Sequence, residues 1–128
     1  MEKWLYDNIV KIAIVLSLPL YLAFFAQKMY AAIESDELAE ARYCMAQNIY
    51  FESANQSFAG RLAVGHVVIN RVEDLQFPNS VCEVIYQAKT RINWKGNEVP
   101  IRNQCQFSWY CDGLSDEPVD SKTWIKSL

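Results

Sequence analysis

Apolar residues crowd the start of this chain. Residues 12–27 (IAIVLSLPLYLAFFAQ) carry no charge, and Ile9, Val10, Met29, Ala31, Ala32 and Ile33 extend the stretch. A helix needs about 20 mainly apolar residues to cross the hydrocarbon of a bilayer, and residues 9–29 reach that length if Lys11 and Lys28 snorkel to the interfaces. Pro19 would kink such a helix without forbidding it. A soluble amphipathic helix should show a polar stripe, but Ser17 and Tyr21 are the polar interruptions between Ile12 and Phe25. A cleaved signal peptide is the other reading, yet no good A-x-A-like site follows the apolar run. The pattern predicts a retained signal anchor, a transmembrane helix within residues 1–33, then an acidic linker over 34–37 and a domain over 38–128. Lys3 and Lys11 precede the segment, which places the N-terminus inside and the domain in the periplasm or otherwise outside the cytoplasm.

From Leu38 the period becomes helical. Leu38, Arg42, Met45, Ile49 and Glu52 recur at three- and four-residue steps, with Ser35 or Asp36 available as N-cap. A second helix is expected over residues 58–72, with Leu62, Gly65, Ile69 and Val72 as one stripe and Ala63, Val67 and Asn70 beside it, both sides buried. Phe77-Pro78-Asn79-Ser80 breaks the chain, and Ser80 can cap a short third helix holding Val81, Val84, Ile85 and Ala88. Residues 89–94 and 99–107 read as extended pieces around the polar turn Trp94-Lys95-Gly96-Asn97-Glu98, a β-hairpin. Residues 122–128 form a short terminal helix or a frayed tail. The fold class is therefore α+β: a small, mostly helical domain with an irregular lobe.

Composition narrows the classes of function. A hydrophobic content of 52% excludes a disordered chain. A net charge of −3 gives little attraction for phosphate backbones, so no nucleic-acid partner is expected. A domain of about 90 residues is small for a self-sufficient core. Cys44, Cys82, Cys105 and Cys111 are an even set in a chain read as exported, which points to two disulfides with three connectivities open. Zinc is disfavoured, because no C-x-x-C occurs and the chain has a single histidine. Neither a metal nor a cofactor is expected, and the chain is read as a monomer.

Glu52 closes the apolar stripe of Met45 and Ile49, beside Tyr50 and Phe51. Poor solvation there favours the neutral carboxyl, and a helix end near Ser53 pushes the same way. Such an acid can protonate a leaving glycosidic oxygen. The plainer reading has Glu52 in solvent or paired with Arg61 or Arg71. His66, beside Leu62 and Ile69, reads as a packed core imidazole, and Asn70 and Arg71 as residues that fix helix and loop geometry.

The run Ile49-Tyr50-Phe51-Glu52-Ser53-Ala54, then Gly60-Arg61-Leu62-Ala63-Val64 and Val67-Val68-Ile69-Asn70-Arg71-Val72, resembles the Y-F-E-A, G-x-x-A-V and V-I-L-N-R-V motifs of the SleB/CwlJ cell wall hydrolase family. Phe77-Pro78-Asn79-Ser80-Val81-Cys82, Val84-Ile85-Tyr86-Gln87 and Cys105-Gln106-Phe107-Ser108-Trp109 continue the likeness in order. The resemblance implies a lysozyme-like α+β domain that cuts peptidoglycan between N-acetylmuramic acid and N-acetylglucosamine, with Glu52 as acid and a lytic transglycosylase mechanism. A membrane-anchored phage endolysin would combine these features. Glycan strands are then the substrate, and Tyr50, Tyr86, Gln87, Gln106, Phe107, Ser108 and Trp109 are candidates to line the sugar groove, with Phe107 and Trp109 equally suited to the core. Gln56 stands where the family commonly has a second acid, which leaves Glu73, Asp74, Glu83 and Asp112 as possible partner carboxylates. The rivals are an N-acetylmuramoyl-L-alanine amidase, a peptidase using Cys44 or Cys82 with His66, and an inactive wall-binding protein.

Overall fold

The computed structural model describes residues 2–128; the side chains of residues 2, 3, 5, 7, 10, 12, 13, 14 and 16 lie outside the described part. The elements are helix α1 (Glu2–Ser53), helix α2 (Phe58–Glu73), helix α3 (Val81–Ile85), strands β1 (Ala88–Ile92) and β2 (Glu98–Cys105), one turn of 3-10 helix (Ser108–Cys111) and helix α4 (Ser121–Ser127). The chain divides into two compact units, Met1–Leu38 and Ala39–Leu128.

The first unit is helical. Helix α1 runs on through residues 34–37, so neither Ser35 nor Asp36 begins a helix as the sequence suggested. Ser35 instead donates its hydroxyl to the Ala32 carbonyl at 2.8 Å, a bond that serine makes inside a helix without ending it. Among the described residues no helix is long and apolar enough to cross a membrane. The transmembrane segment expected over residues 9–29 is therefore not borne out there; the side chains of Val10, Ile12, Ala13, Ile14 and Leu16 fall outside the described residues. The side chains that are described from Leu18 to Ile33 are exposed.

The second unit is α+β. Its core gathers Cys44 from α1, Val68 from α2, Val84 and Ile85 from α3, and Phe107 and Trp109 from the segment after β2. The α2 helix begins where Ser57 accepts a hydrogen bond from the Gly60 N–H, and α3 where Ser80 accepts one from Glu83. These side-chain oxygens satisfy amides that have no partner inside their helices. The buried side of α2 centres on Val68 rather than on the expected stripe. Leu62, Val67 and Ile69 are all exposed, so the helix is turned about one residue from its hydrophobic pattern. The α3 helix ends at Ile85, and Ala88 opens β1 instead of extending the helix.

The expected hairpin is present. Strands β1 and β2 pair antiparallel, and the turn is tied by Asn93, whose carboxamide oxygen accepts from the amides of Lys95 at 2.9 Å and Asn97 at 3.0 Å. Gly96 in this turn has φ of +79°, a value that a side chain would strain.

Two disulfides settle the pairing that the sequence left open: Cys44 with Cys82, and Cys105 with Cys111. The first joins α1 to α3 across the core; the second closes the exit of the hairpin onto the 3-10 turn.

The last helix is capped by Asp120, which accepts from the Lys122 N–H at 3.0 Å and the Thr123 hydroxyl at 2.6 Å. The Thr123 bond, with the backbone bond from Lys122, holds the Asp120 carboxyl below the usual carboxylate range. A lowered folded value favours the fold above the unfolded carboxylate range, and that contribution disappears as pH falls through the lowered value. Asp120→Ala should therefore fray α4 at neutral pH and flatten the acid limb of the stability curve, measured by circular dichroism melts from neutral pH downward.

Candidate active site

Residues 44–53 form the last turns of α1, and nearly all of them are committed to the interior. Cys44, Ala46, Gln47, Asn48, Tyr50 and Ser53 are buried, and Met45, Ile49 and Phe51 are partly so; Glu52 alone in this run is exposed. The expectation of a poorly solvated Glu52 is thus corrected, because Tyr50 and Phe51 turn inward while the carboxylate turns out. The plainer reading holds in its first part, Glu52 standing in solvent at the helix end, while the arginines it offered as partners are engaged elsewhere. Arg61 donates to the Gln56 carbonyl at 2.8 Å, and the Arg71 guanidinium lies over the rings of Phe77 and Phe107 at 5.5 and 5.2 Å. Arg71 thereby packs α2 against the segments that carry Phe77 and Phe107.

The buried end of α1 is held by hydrogen bonds that reach distant parts of the chain. Trp109 donates its indole N–H to the Asn48 carboxamide oxygen at 2.9 Å. Gln47 donates to the Asp116 carbonyl at 2.6 Å and accepts a short hydrogen bond from the Tyr86 hydroxyl. Burial, with the charges of neighbouring groups, keeps the Tyr86 phenol above its ordinary range and so protonated as donor. Phe51 stacks on Trp109 with ring centroids 4.8 Å apart. Periodicity on the Glu52 face contained a clue to this scaffold, since Asn48 lies one turn before Glu52; Gln47 and Asp116 gave no such signal.

The residues predicted to line a sugar groove fall into two groups. Tyr50, Phe107 and Trp109 are buried and serve the core. Tyr50 accepts at its hydroxyl from the backbone N–H of Val119 at 3.2 Å and of Asp120 at 3.0 Å, so its hydroxyl is committed to that segment. Tyr50→Phe strips two amides of their acceptor and should cost about 1–2 kcal/mol of stability, as checked by denaturant melts. Tyr86 is half-buried against Trp109 and Tyr110. Gln87 and Gln106 line one groove of about 320 Å³ at the base of the hairpin, and Ser108 is exposed.

A second cleft, about 340 Å³, has a mostly apolar wall built by Met45 and Ile49 of α1 and Phe58, Leu62 and Ile69 of α2, with Arg61 and His66 among the polar residues. His66 is exposed there, which corrects its assignment to the core; its neighbours are still Leu62 and Ile69. Gly65 faces Met45 and Ile49, where a Cβ would stand in ordinary van der Waals contact at 3.8 Å. Met45, Ile49 and Glu52 share a helix face by spacing, so the carboxylate continues the stripe that forms this wall.

All four cysteines are bonded, so neither Cys44 nor Cys82 supplies the thiolate that a Cys-His peptidase requires. The remaining acids are placed unevenly. Glu73 and Asp74 lie at the far end of α2, a rise of about 22 Å from its first residue. Glu83 accepts from the Ser80 hydroxyl and Asp112 from the Leu114 amide.

The second unit is thus a disulfide-stapled α+β domain that presents the Glu52 carboxylate to solvent at the end of α1. Residues 55–127 match the model of the cell wall hydrolase family, just over half of the chain, and the chain belongs to that family. A stretch of 45 residues is 40% identical to a spore cortex-lytic enzyme of Bacillus cereus, covering 35% of this chain and 17% of that protein. The chain thus spans about a sixth of the length of the curated relative it matches. No solved structure matches the chain. The family match begins just after Glu52, in the turn that joins α1 to α2.

Proposed function

We propose that this chain cleaves the glycan strand of peptidoglycan between N-acetylmuramic acid and N-acetylglucosamine, as a lytic transglycosylase in which Glu52 is general acid and then base. The observation that carries this reading is the placement of Glu52, the one exposed side chain on an otherwise interior stretch of helix. A polymer can reach it, and the hydrogen bonds of Gln47 and Asn48 hold its backbone still, which is what a positioned proton donor needs. The Glu52 carboxyl gives its proton to the glycosidic oxygen as the bond to C1 of the muramyl sugar breaks. The resulting carboxylate takes the proton of that sugar's C6 hydroxyl, whose oxygen closes on C1 to form a 1,6-anhydro ring. No water is consumed and one carboxylate suffices.

The separation of Glu73 and Asp74 from this end of α2, and the local hydrogen bonds of Glu83 and Asp112, favour the one-carboxylate scheme over hydrolysis by a pair. The two disulfides support action outside the cytoplasm. Mass spectrometry of the fragments released from purified walls tests the mechanism. Anhydro-muramyl ends are expected. Reducing muramyl ends would replace transglycosylation by hydrolysis, and intact glycan with freed peptides would overturn glycan cleavage in favour of an amidase or peptidase.

A further inference from the structure

Tyr43 of α1 and Trp124 of α4 meet edge to face, with ring centroids 5.6 Å apart and planes at 60°. Two rings set at such an angle form adjoining walls, and the concavity they border holds about 300 Å³. Glu117, Pro118, Val119 and Ser121 complete it. The pocket lies wholly within the second unit, and none of its residues belongs to the buried core cluster. The chemistry proposed for Glu52 makes no use of it.

Its walls are fixed before anything binds. The Tyr50 hydroxyl holds the amides of Val119 and Asp120, Gln47 holds the Asp116 carbonyl, and the Trp124 backbone N–H donates to the Asp120 carbonyl at 2.9 Å. A preformed pocket of this kind loses little freedom on binding. The charge around it has one sign, because residues 103–121 contain Asp112, Asp116, Glu117 and Asp120 and no lysine or arginine. Burial, with the carboxylates of Asp112 and Glu117, keeps the Asp116 carboxyl above its usual range, as crowded negative charge requires. Glu117 bonds Ser115 through its backbone N–H, which leaves its carboxylate uncommitted on the pocket wall. Among the described residues the cations that lie over rings do so elsewhere, Lys28 over Phe24, Arg71 over Phe77 and Phe107, and Lys95 over Trp94.

We propose that this pocket binds a quaternary ammonium group, held against the rings of Tyr43 and Trp124 with the Glu117 carboxylate as its counter-charge. The face of an aromatic ring is the negative part of its quadrupole and attracts a cation that gives up its water. A quaternary ammonium is weakly hydrated and has no N–H to satisfy, so rings, Pro118 and Val119 suit it. A primary ammonium carries three donors and holds its water strongly, and Glu117 and Ser121 are the side-chain acceptors the pocket would offer it. The pocket therefore selects against lysine-like cations and, through its negative charge, against anions. This site does not depend on the glycan-cleaving reading, since its test measures binding alone.

The test titrates the full-length, disulfide-intact protein with choline chloride in a calorimeter, the ionic strength held constant with sodium chloride. Saturable binding is expected with a dissociation constant on the order of 1 mM. The neutral isostere 3,3-dimethylbutan-1-ol, which has the same shape without the charge, should bind at least about tenfold more weakly, and butylammonium likewise. Tyr43 and Glu117 are exposed, so Tyr43→Leu and Glu117→Gln should leave the melting temperature unchanged. The first should weaken choline about fivefold or more and the second about threefold, the latter difference shrinking as salt is added. Phosphocholine beside choline tells the two sources of such a group apart: tighter choline assigns a free cation, tighter phosphocholine a headgroup, and either supports the site. No saturable binding up to about 50 mM choline overturns the proposal. Equal binding of the isostere reduces the pocket to an apolar crevice and overturns it too, as does wild-type affinity in Glu117→Gln, whose fold is not at risk.

Discussion

Glu52→Gln is expected to lower the rate of wall solubilisation by at least about a thousandfold, while the unfolding free energy moves by no more than about 0.5 kcal/mol. Glutamine keeps the shape of the side chain but has no acidic proton to give, so the substitution removes chemistry and little else. The stability half follows from exposure: Glu52 is the one side chain between Cys44 and Ser53 that faces water. Lysis by the variant at more than a tenth of the wild-type rate would remove Glu52 from the reaction. Turbidity of a wall suspension and a denaturant melt on the same preparation measure both halves.

What the sequence made legible, and what it did not, divides by the range of the interactions involved. Local chemistry read well. Ser80 caps α3, the polar run around Gly96 turns the hairpin, and α1 ends at Ser53 just before Asn55. Interactions that depend on distant partners read poorly. Leu62 and Ile69 looked like core because their spacing is helical, yet the helix places Val68 inward and leaves Leu62 and Ile69 to wall a cleft. The family resemblance gives Tyr50 a place in a sugar groove, but its ring is buried and the amides of residues 119 and 120 use its hydroxyl. The continuity of α1 through residues 34–37 was hidden for a different reason. Ser35 and Asp36 are good caps, but a cap acts only where the helix has ended, and here it continues. The irregularity of β2 went unread although Pro100 lies inside the strand and Asn103, at φ of +61°, is a residue type that tolerates that region.

Removing the Cys44–Cys82 bond should cost far more than removing Cys105–Cys111. The first closes a loop between residues 38 apart and the second between residues 6 apart. Chain entropy released to the unfolded state by opening such loops corresponds to about 4 and about 2 kcal/mol respectively. A domain of this size has about 5–15 kcal/mol in total, so the longer staple accounts for a large share of it. Cys44 is itself part of the buried core, and Cys44→Ala with Cys82→Ala adds a packing loss to the entropic one. The paired variant should melt about 15–30 °C below the wild type, as the entropy of unfolding for about 90 residues implies. The 105–111 pair should fall about half as far. Glu52 sits two turns beyond Cys44 on the same helix, so loosening that anchor should depress lysis even at temperatures where the domain is folded. Thermal melts of both paired variants, with lysis rates taken well below each midpoint, separate the effects. Equal melting temperatures for the two would show that loop closure is not what the longer bond contributes.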